Sequence, residues 1–292
     1  MPKPDFQLEM KPNLPTPIDF RTCDGLTLKA DAWGDPKRPA VLFQHGGGQT
    51  RHAWGGTARA LAELGWYAVT LDLRGHGDSD WSPDADYNLD SYSRDTLRVL
   101  RTFPRPPAVV GASLGGLSAL VAQSLEPELF SSLVLVDITP RMQPEGVARI
   151  GAFMKKYLEH GFASLEEAAD AVAAYLPNRP RRQDLSGLEK NLRRGEDGRY
   201  RWHWDPRFLT GERSPGSEPL QDRLLDATRA LHMPTLLVRG RMSDIVSEDT
   251  AREFLDMVPH AAFADVSEAG HMVAGDQNDA FTDAVVEFLR GL

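Results

Sequence analysis

A mostly parallel, doubly wound α/β sheet with an inserted α-helical cap is the fold class that this sequence predicts. Short runs that are almost continuously apolar recur along the chain, as expected for strands buried on both faces of a parallel sheet. Amphipathic helical stretches alternate with these runs, which is typical of a sheet covered by helices on both faces. The alternation stops in the middle of the chain, where helical patterns and prolines occur without a convincing strand. That interruption predicts the cap.

The elements follow in order along the chain. The predicted buried strands are AVLFQ (40–44), YAVTL (67–71), AVVGA (108–112), LVLVD (133–137), TLLVR (235–239) and AFADV (262–266). The helical patterns between them cover 51–64, 88–102, 114–125, 247–257 and 276–290. An earlier run at 26–33 alternates apolar and polar residues, so we expect it to form an antiparallel edge with the segment near 18–21.

The cap divides the core of the fold into two parts. We expect residues 1–138 to form the first part of the α/β core, 139–220 the helical cap and 221–292 the second part of the core. Ligands bind at the carboxyl ends of the strands in open α/β sheets, so we expect the cap to cover those ends.

Composition and charge narrow the classes of function. The chain has 292 residues and a formal net charge of −9, which disfavours nucleic acid and anionic membranes as partners. No apolar run approaches the roughly 18–20 residues of a membrane span. The N-terminus lacks the apolar stretch of a signal peptide, so a cytoplasmic location is the default expectation. Cys23 is the only cysteine, which excludes an intrachain disulfide and a cysteine-based metal site. Both a monomer and a homodimer stay open.

A basic cluster lies in the predicted cap between residues 178 and 207, where arginine and lysine outnumber the acidic residues. We interpret it as a solvated helical surface. Guidance of a substrate carboxylate is the alternative interpretation.

Ser113 lies where a nucleophile would be exposed. It follows the apolar run AVVGA and precedes the helical pattern LGGLSALVAQSL, so it occupies a strand–turn–helix context. A turn this tight needs small neighbours, and the sequence supplies Gly111, Gly115 and Gly116. The same turn places the backbone N–H of Leu114 at a helix N-terminus, where it can stabilise developing negative charge. This context predicts a nucleophilic serine.

A serine hydroxyl needs an adjacent base near neutral pH, and His271 is the histidine placed to supply one. It falls between the last predicted strand and the final helix. Asp244 follows the preceding strand and is the predicted acid that fixes the imidazole tautomer. Asp137, at the end of the strand that follows the helical pattern 114–125, is the rival acid. Its alternative role is to cap the turn that opens the insertion.

The sequence HGGG at 45–48 ends the run AVLFQ. Because glycine has no side chain, the Gly47 N–H can approach a substrate oxygen and complete an oxyanion hole with the Leu114 N–H. We expect His45 to brace this loop by hydrogen bonds rather than to transfer protons. Gly48 is expected to border the bound substrate.

These motifs together resemble the α/β-hydrolase superfamily over essentially the whole chain. The resemblance rests on HGGGQTRHAW, DLRGHGDSDW at 72–81, GASLGG, Asp244 near the end of the chain and GHMVAGDQNDAF. It is nearest to the capped branch that holds carboxylesterases, enol-lactonases, cofactor-free haloperoxidases and epoxide hydrolases. Epoxide hydrolases and haloalkane dehalogenases use an aspartate nucleophile, so Ser113 argues against both activities. The resemblance also implies a structural role for Asp72 and Arg74, with an Arg–Asp contact bracing the site.

GASLGG differs from the GDSAGG that is usual in hormone-sensitive-lipase-like esterases, although those enzymes share HGGG. Candidate substrate contacts come from the cap and from the segment after His271. They are Trp204, Phe153, Tyr157 and Met272, beside Gly48 of the glycine loop. Inward-facing aromatic residues would indicate a hydrophobic acyl or alcohol group, and packing inside the cap is their alternative role.

The sequence therefore predicts a serine hydrolase that cleaves carboxylic esters through an acyl-enzyme on Ser113, with no metal or organic cofactor. The expected substrate is a small to medium, uncharged hydrophobic ester. The same triad could instead open lactones, hydrolyse C–C bonds or form peracids. A binding protein that retains the pocket but turns over slowly is the alternative from a different class.

Overall fold

The structure is a computed structural model that describes residues 14–176, 181, 183–215, 220–267, 270 and 278–292. Its strands form a central sheet and a separate two-stranded hairpin. The strands in chain order are β1 (Thr16–Arg21), β2 (Thr27–Trp33), β3 (Ala40–Gln44), β4 (Tyr67–Leu71), β5 (Ala108–Ala112), β6 (Ser132–Val136), β7 (Leu192–Arg194), β8 (Tyr200–Trp202), β9 (Thr235–Gly240) and β10 (Ala262–Val266). Every apolar run that the sequence predicted as a strand forms one. The predicted burial is wrong for β10, an edge strand in which Ala262 and Phe263 are exposed. β6 ends at Val136, so Asp137 lies just beyond its carboxyl end.

The central sheet has the strand order β1-β2-β4-β3-β5-β6-β9-β10. β2 pairs antiparallel with β1 and β4, whereas β3, β5, β6, β9 and β10 pair in parallel. The mostly parallel sheet with an antiparallel edge confirms the predicted fold class. Because β3 and β6 flank β5, the segments that follow these three strands leave the same edge of the sheet side by side.

Helices cover both faces of this sheet. They are α1 (Gly55–Glu63), α2 (Leu89–Leu100), α3 (Leu114–Leu125), α4 (Pro144–Lys156), α5 (Leu165–Tyr175), α6 (Ser186–Glu189), α7 (Arg207–Thr210), α8 (Gln221–Arg229), α9 (Glu248–Met257) and α10 (Asn278–Arg290). Short 3₁₀ turns form at Arg51–Trp54 and Pro127–Leu129. In the described parts of the chain, every helix is too short or too polar to cross a membrane.

Neighbouring residues of the buried strands pack into opposite halves of the core. In β3, Leu42 packs with residues of α2 and α3, whereas Val41 and Phe43 pack with residues of α1 and α10. Trp54 joins the second half, with its ring 5.3 Å from that of Phe43 and 5.5 Å from that of Phe281. Burial on both faces explains why the strands are almost continuously apolar.

The segment between β6 and β9 contains α4 to α8 and the hairpin of β7 and β8. The hairpin was not predicted, because its strands LRR and YRW are short and largely polar. The chain after β8 forms backbone hydrogen bonds with the loop that follows β4. The Gly77 N–H donates to the His203 carbonyl oxygen at 2.7 Å, and the Asp205 N–H donates to that of Gly75 at 2.8 Å. Backbone hydrogen bonds therefore fix this side of the inserted segment, the predicted cap, to the core.

Two buried ion pairs hold the loop that follows β4. Arg74 donates to both carboxylate oxygens of Asp95 in α2, at 2.6 and 2.7 Å, and both side chains are almost fully buried. Asp72 accepts hydrogen bonds from the backbone and the guanidinium of Arg51, and from the Asp78 N–H at 3.0 Å. Asp72 and Arg74 thus have a structural role, but each takes a different partner.

Replacing Asp95 with asparagine should lower the free energy of unfolding by about 3 kcal/mol. The change leaves the buried Arg74 guanidinium with the half-exposed Asp24 as its remaining carboxylate partner. Chemical denaturation followed by tryptophan fluorescence measures the loss. Asp226→Asn is the matched control, because the Asp226–Arg229 pair is exposed and should contribute little. A loss no larger than that of the control would contradict the structural role of Asp95.

Candidate active site

Ser113 lies on a strained turn between β5 and α3. Its backbone angles, φ 46° and ψ −114°, are outside the regions favoured by residues with a side chain, and such strain costs on the order of 1–3 kcal/mol. Glycines make the turn possible. A Cβ on Gly115 would lie 2.5 Å from the Gln44 carbonyl oxygen, and one on Gly116 would lie 2.6 Å from Ile138 Cγ2. The backbone here is the strand–turn–helix that the sequence predicted.

The glycine loop that follows β3 lies beside the serine. A Cβ on Gly46 would be 3.3 Å from the Cβ of Ser113. Neither the Gly47 N–H nor the Leu114 N–H donates a hydrogen bond within the described part of the chain. Leu114 is also the first residue of α3, where the helix dipole favours negative charge. One of these N–H groups follows Ser113 in the chain and the other lies in the adjoining glycine loop, which is the composition of an oxyanion hole.

Two fully buried histidines brace this loop. His45 Nδ1 donates to the Gly46 carbonyl oxygen at 2.8 Å, and its Nε2 accepts from the Leu73 N–H at 3.1 Å. His76 Nε2 accepts from the Gly48 N–H at 3.1 Å, and its Nδ1 donates to a carbonyl oxygen of its own loop at 3.0 Å. Each ring therefore has one donor and one acceptor nitrogen, as a neutral imidazole does. The sequence anticipated this role for His45 but not for His76.

The surroundings of these histidines keep them uncharged. Burial lowers the pKa of His45 to about 4 and that of His76 to about 3. A protonated Nε2 could no longer accept the backbone N–H that it binds. The two rings are thus structural parts of the loop rather than bases that work near neutral pH.

Asp137 lies next to the serine turn. β5 and β6 end in register, so Ser113 and Asp137 leave neighbouring parallel strands at the same level. The Asp137 side chain is fully buried. Its Oδ1 accepts from the Gly240 N–H at 3.0 Å, and its Oδ2 accepts from the Ser243 hydroxyl at 2.6 Å. The sequence reasoning missed Ser243, whose only signal is its place in the loop after β9.

Asp244 lies in the same loop after β9 but faces the cap. Its side chain is 27% exposed, and its Oδ2 lies 3.0 Å from Arg149 Nη2 of α4 without the alignment of a hydrogen bond. A Cβ on Gly146 of α4 would lie 2.1 Å from the Asp244 carbonyl oxygen, so helix and loop are in close contact. The two candidate acids therefore have different surroundings.

The predicted base His271 and the predicted substrate contact Met272 lie outside the described residues. The role of each stays a prediction from the sequence.

An apolar wall covers the glycine loop. A Cβ on Gly47 would lie 3.0 Å from Phe208 Cζ, and one on Gly48 would lie 2.7 Å from Met154 Cε and 3.7 Å from Trp204 Nε1. Trp204 and Phe208 are buried, with ring centroids 6.0 Å apart. Trp204 and Gly48 were predicted substrate contacts and lie together here. Phe208 and Met154 were not among the predicted contacts, although both belong to the aromatic and apolar patterns of the cap.

Phe153 and Tyr157 contact other aromatic residues of the cap. Phe153 stacks on Tyr175 with ring centroids 4.2 Å apart and an interplanar angle of 13°. Tyr157 lies 4.5 Å from Phe162 by the same measure. The contacts observed for these two predicted residues are thus the packing contacts that were the alternative interpretation.

The basic cluster of the cap contains several ion pairs. The pairs are Arg181–Asp170 at 2.6 Å, Arg201–Asp197 at 2.6 Å and Arg207–Asp205 at 2.7 Å. These contacts favour a solvated, ion-paired surface. The predicted helical form is wrong where Arg193, Arg194 and Arg201 lie on β7 and β8.

The two neutral histidines should make stability depend on pH. An unfolded histidine has a pKa near 6.5, so below that pH the unfolded chain binds protons that the native His45 and His76 do not. The free energy of unfolding should therefore fall by about 1.4 kcal/mol per pH unit for each histidine as the pH drops from about 6 toward 4. Urea denaturation across this range measures the slope.

His76→Gln should reduce that slope by about 1.4 kcal/mol per pH unit, the contribution of one histidine. The control is His232→Gln, which changes an exposed histidine and should leave the slope as it is. An identical slope in the wild type and the His76 variant would contradict the assignment of a neutral His76.

Comparisons with known proteins agree with this architecture. Residues 39–276 match the family model described as alpha/beta hydrolase fold. The esterase Rv0045c of Mycobacterium tuberculosis is 32% identical over 271 residues, which cover 91% of this chain and 86% of the esterase. The 3-hydroxybutyrate-oligomer hydrolase of Cupriavidus necator is 30% identical over 253 residues, which cover 82% of this chain and 85% of that enzyme.

The crystal structure of an alpha/beta hydrolase from Novosphingobium aromaticivorans matches with a TM-score of 0.82 at 28% identity, over 95% of this chain and 99% of that one. The family model and the relatives extend over most of the chain, including the serine turn and the glycine loop. The chain therefore belongs to the α/β-hydrolase family.

Proposed function

We propose that this protein is a serine hydrolase that cleaves carboxylic esters through an acyl-enzyme on Ser113. The observation that carries the proposal is the strained turn that holds Ser113 against the glycine loop. The N–H groups of Leu114, after Ser113, and of Gly47, in that loop, have no acceptor among the described residues. Similarity to a protein named as an esterase supports the reaction class.

The mechanism follows from the chemistry of these groups. His271 takes the Ser113 hydroxyl proton as the oxygen attacks the ester carbonyl carbon. The Gly47 and Leu114 N–H groups donate to the oxyanion of the tetrahedral intermediate. His271 then protonates the departing alcohol, and the acyl group stays on Ser113. Water, deprotonated by His271, attacks this acyl-enzyme and releases the carboxylic acid.

We assign the acid of the triad to Asp137 rather than to Asp244, which the sequence favoured. The acid must be buried, ionised and held in one orientation to fix the imidazole tautomer and stabilise the imidazolium. The fully buried Asp137 accepts hydrogen bonds on both carboxylate oxygens and follows the strand next to that of Ser113. Asp244 is instead partly exposed and pairs with Arg149.

The apolar wall of Met154, Trp204 and Phe208 favours small to medium, uncharged hydrophobic esters as substrates. These side chains approach Gly47 and Gly48, so a group bound at the oxyanion donors would meet an apolar surface. Burying such a group stabilises binding by about 0.8 kcal/mol per CH₂.

Ser113→Ala should lower kcat for p-nitrophenyl butyrate by about 10⁴-fold or more, because no other group can form the acyl-enzyme. The wild type should react covalently with a fluorophosphonate probe at Ser113, and the variant should not. Circular dichroism verifies that the variant is folded. Assays with lactones, with C–C bond substrates and for peracid formation from acetate and peroxide then compare other reactions of the same triad. Retained ester turnover in the variant would overturn the proposal.

Asp137→Asn should lower kcat by about 10⁴-fold, because a neutral amide does not stabilise the imidazolium. Asp244→Asn, as the matched variant, should lower kcat by less than about tenfold, since its carboxylate pairs with the cap. Both are measured with p-nitrophenyl acetate, and circular dichroism verifies folding. The opposite ranking would return the acid to Asp244 and leave the role of Ser113 intact.

A further inference from the structure

Helix α4 crosses the site from one side to the other. Near its beginning, Gly146 contacts the Asp244 backbone in the loop after β9. Near its end, Met154 contacts Gly48 in the loop after β3. In the sheet, β5 and β6 lie between β3 and β9. The helix therefore spans the edge of the sheet from which Ser113 emerges.

The first half of α4 is held to the core by a polar contact. Arg149 Nη2 lies 3.0 Å from Asp244 Oδ2, and its guanidinium carbon lies 5.3 Å from the centroid of the Tyr175 ring. Tyr175 ends α5 and stacks on Phe153, one turn further along α4. One arginine thus connects the loop after β9 with two helices of the cap.

Few buried apolar groups reinforce this half of the helix. Gly146 is the one residue of α4 that is fully buried, and Arg149 itself is 56% exposed. Two hydrogen bonds from Gln143, to the Ile245 carbonyl oxygen at 2.9 Å and to the Ser247 hydroxyl at 3.0 Å, hold the residue that precedes the helix. Apart from these bonds of Gln143, the polar contact that the described residues make between α4 and the loop after β9 is the Arg149–Asp244 ion pair.

We propose that Arg149 and Asp244 are positioning residues that fix α4 over Ser113 and thereby select the size of the ester. This inference rests on the proposed ester hydrolysis at Ser113. The pair takes no part in proton transfer. It holds Met154 at the end of α4 against Gly48, so the space above the oxyanion donors depends on where the helix lies.

Loosening the pair should widen this space. Arg149→Gln should leave kcat for p-nitrophenyl acetate within about twofold, because the small acyl group does not need the wall. It should raise kcat/KM for p-nitrophenyl octanoate relative to acetate by about threefold or more, as expected for a pocket that rejects long chains by shape. Arg252→Gln is the matched control, because the Arg252–Asp249 pair is exposed and lies in α9.

A double-mutant cycle tests whether the two residues act as one unit. Arg149→Gln, Asp244→Asn and their combination should change the chain-length preference by the same factor rather than multiplicatively. Exchanging the charges, with Arg149→Asp and Asp244→Arg together, should restore most of the wild-type preference. Multiplicative effects, or an unchanged preference in both single variants, would overturn the proposal.

Hydrogen exchange gives a readout that does not depend on turnover. The amides of α4 should exchange about threefold faster or more in both single variants and at the wild-type rate in the Arg252 control. Unchanged exchange would overturn the positioning role even if the enzyme is an esterase. Loss of turnover by more than about 10³-fold in Asp244→Asn alone would show that Asp244 is the acid, and it would leave Ser113 as the nucleophile. Retained turnover in Ser113→Ala, by contrast, would overturn the proposed function. The hydrogen-exchange result would still show whether the Arg149–Asp244 pair positions α4.

Discussion

The strained backbone at Ser113 is the constraint on which the rest of the site depends. A positive φ at a residue with a side chain persists only where the surrounding structure leaves no alternative. A Cβ on Gly111 would lie 2.7 Å from backbone atoms of Gly115, and the Gly115 N–H donates to the His45 carbonyl oxygen at 3.2 Å. Strand β5, helix α3 and the glycine loop therefore meet at backbone contact distance. That contact places the glycine loop beside Ser113.

The glycine loop has almost no side chains of its own, so polar groups hold it in place. His45 and His76 form hydrogen bonds with the backbone of the loop, and both can do so only as neutral rings. The buried Asp72 in turn binds the Arg51 backbone just beyond the loop. Buried hydrogen bonds of this kind are costly when one partner is lost. The loop that carries the proposed oxyanion donor Gly47 is thus held by buried groups outside the proposed reaction.

The sequence predicted the core better than the cap for a physical reason. Strands such as AVVGA are buried on both faces, so their composition alone identifies them, and the tight turn at Ser113 requires its glycines. The strands LRR and YRW are half-exposed and short, so no periodicity marks them. The choice between two aspartates depends on which way each side chain points, and a position after a strand does not determine that. Ser243, which binds Asp137, was missed for the same reason.

The proposed acid Asp137 and the proposed positioning residue Asp244 have different surroundings. Asp137 is buried, and a backbone N–H and a hydroxyl group each donate a hydrogen bond to its carboxylate. Asp244 lies instead beside the Arg149 guanidinium of α4. The predicted cap is therefore fixed unevenly. Backbone hydrogen bonds hold the chain near Trp204, whereas a partly exposed ion pair contacts α4. Exposed pairs are weak. If the cap yields to a larger substrate, the physical expectation is that it yields at α4, away from the hydrogen bonds that hold the oxyanion donors.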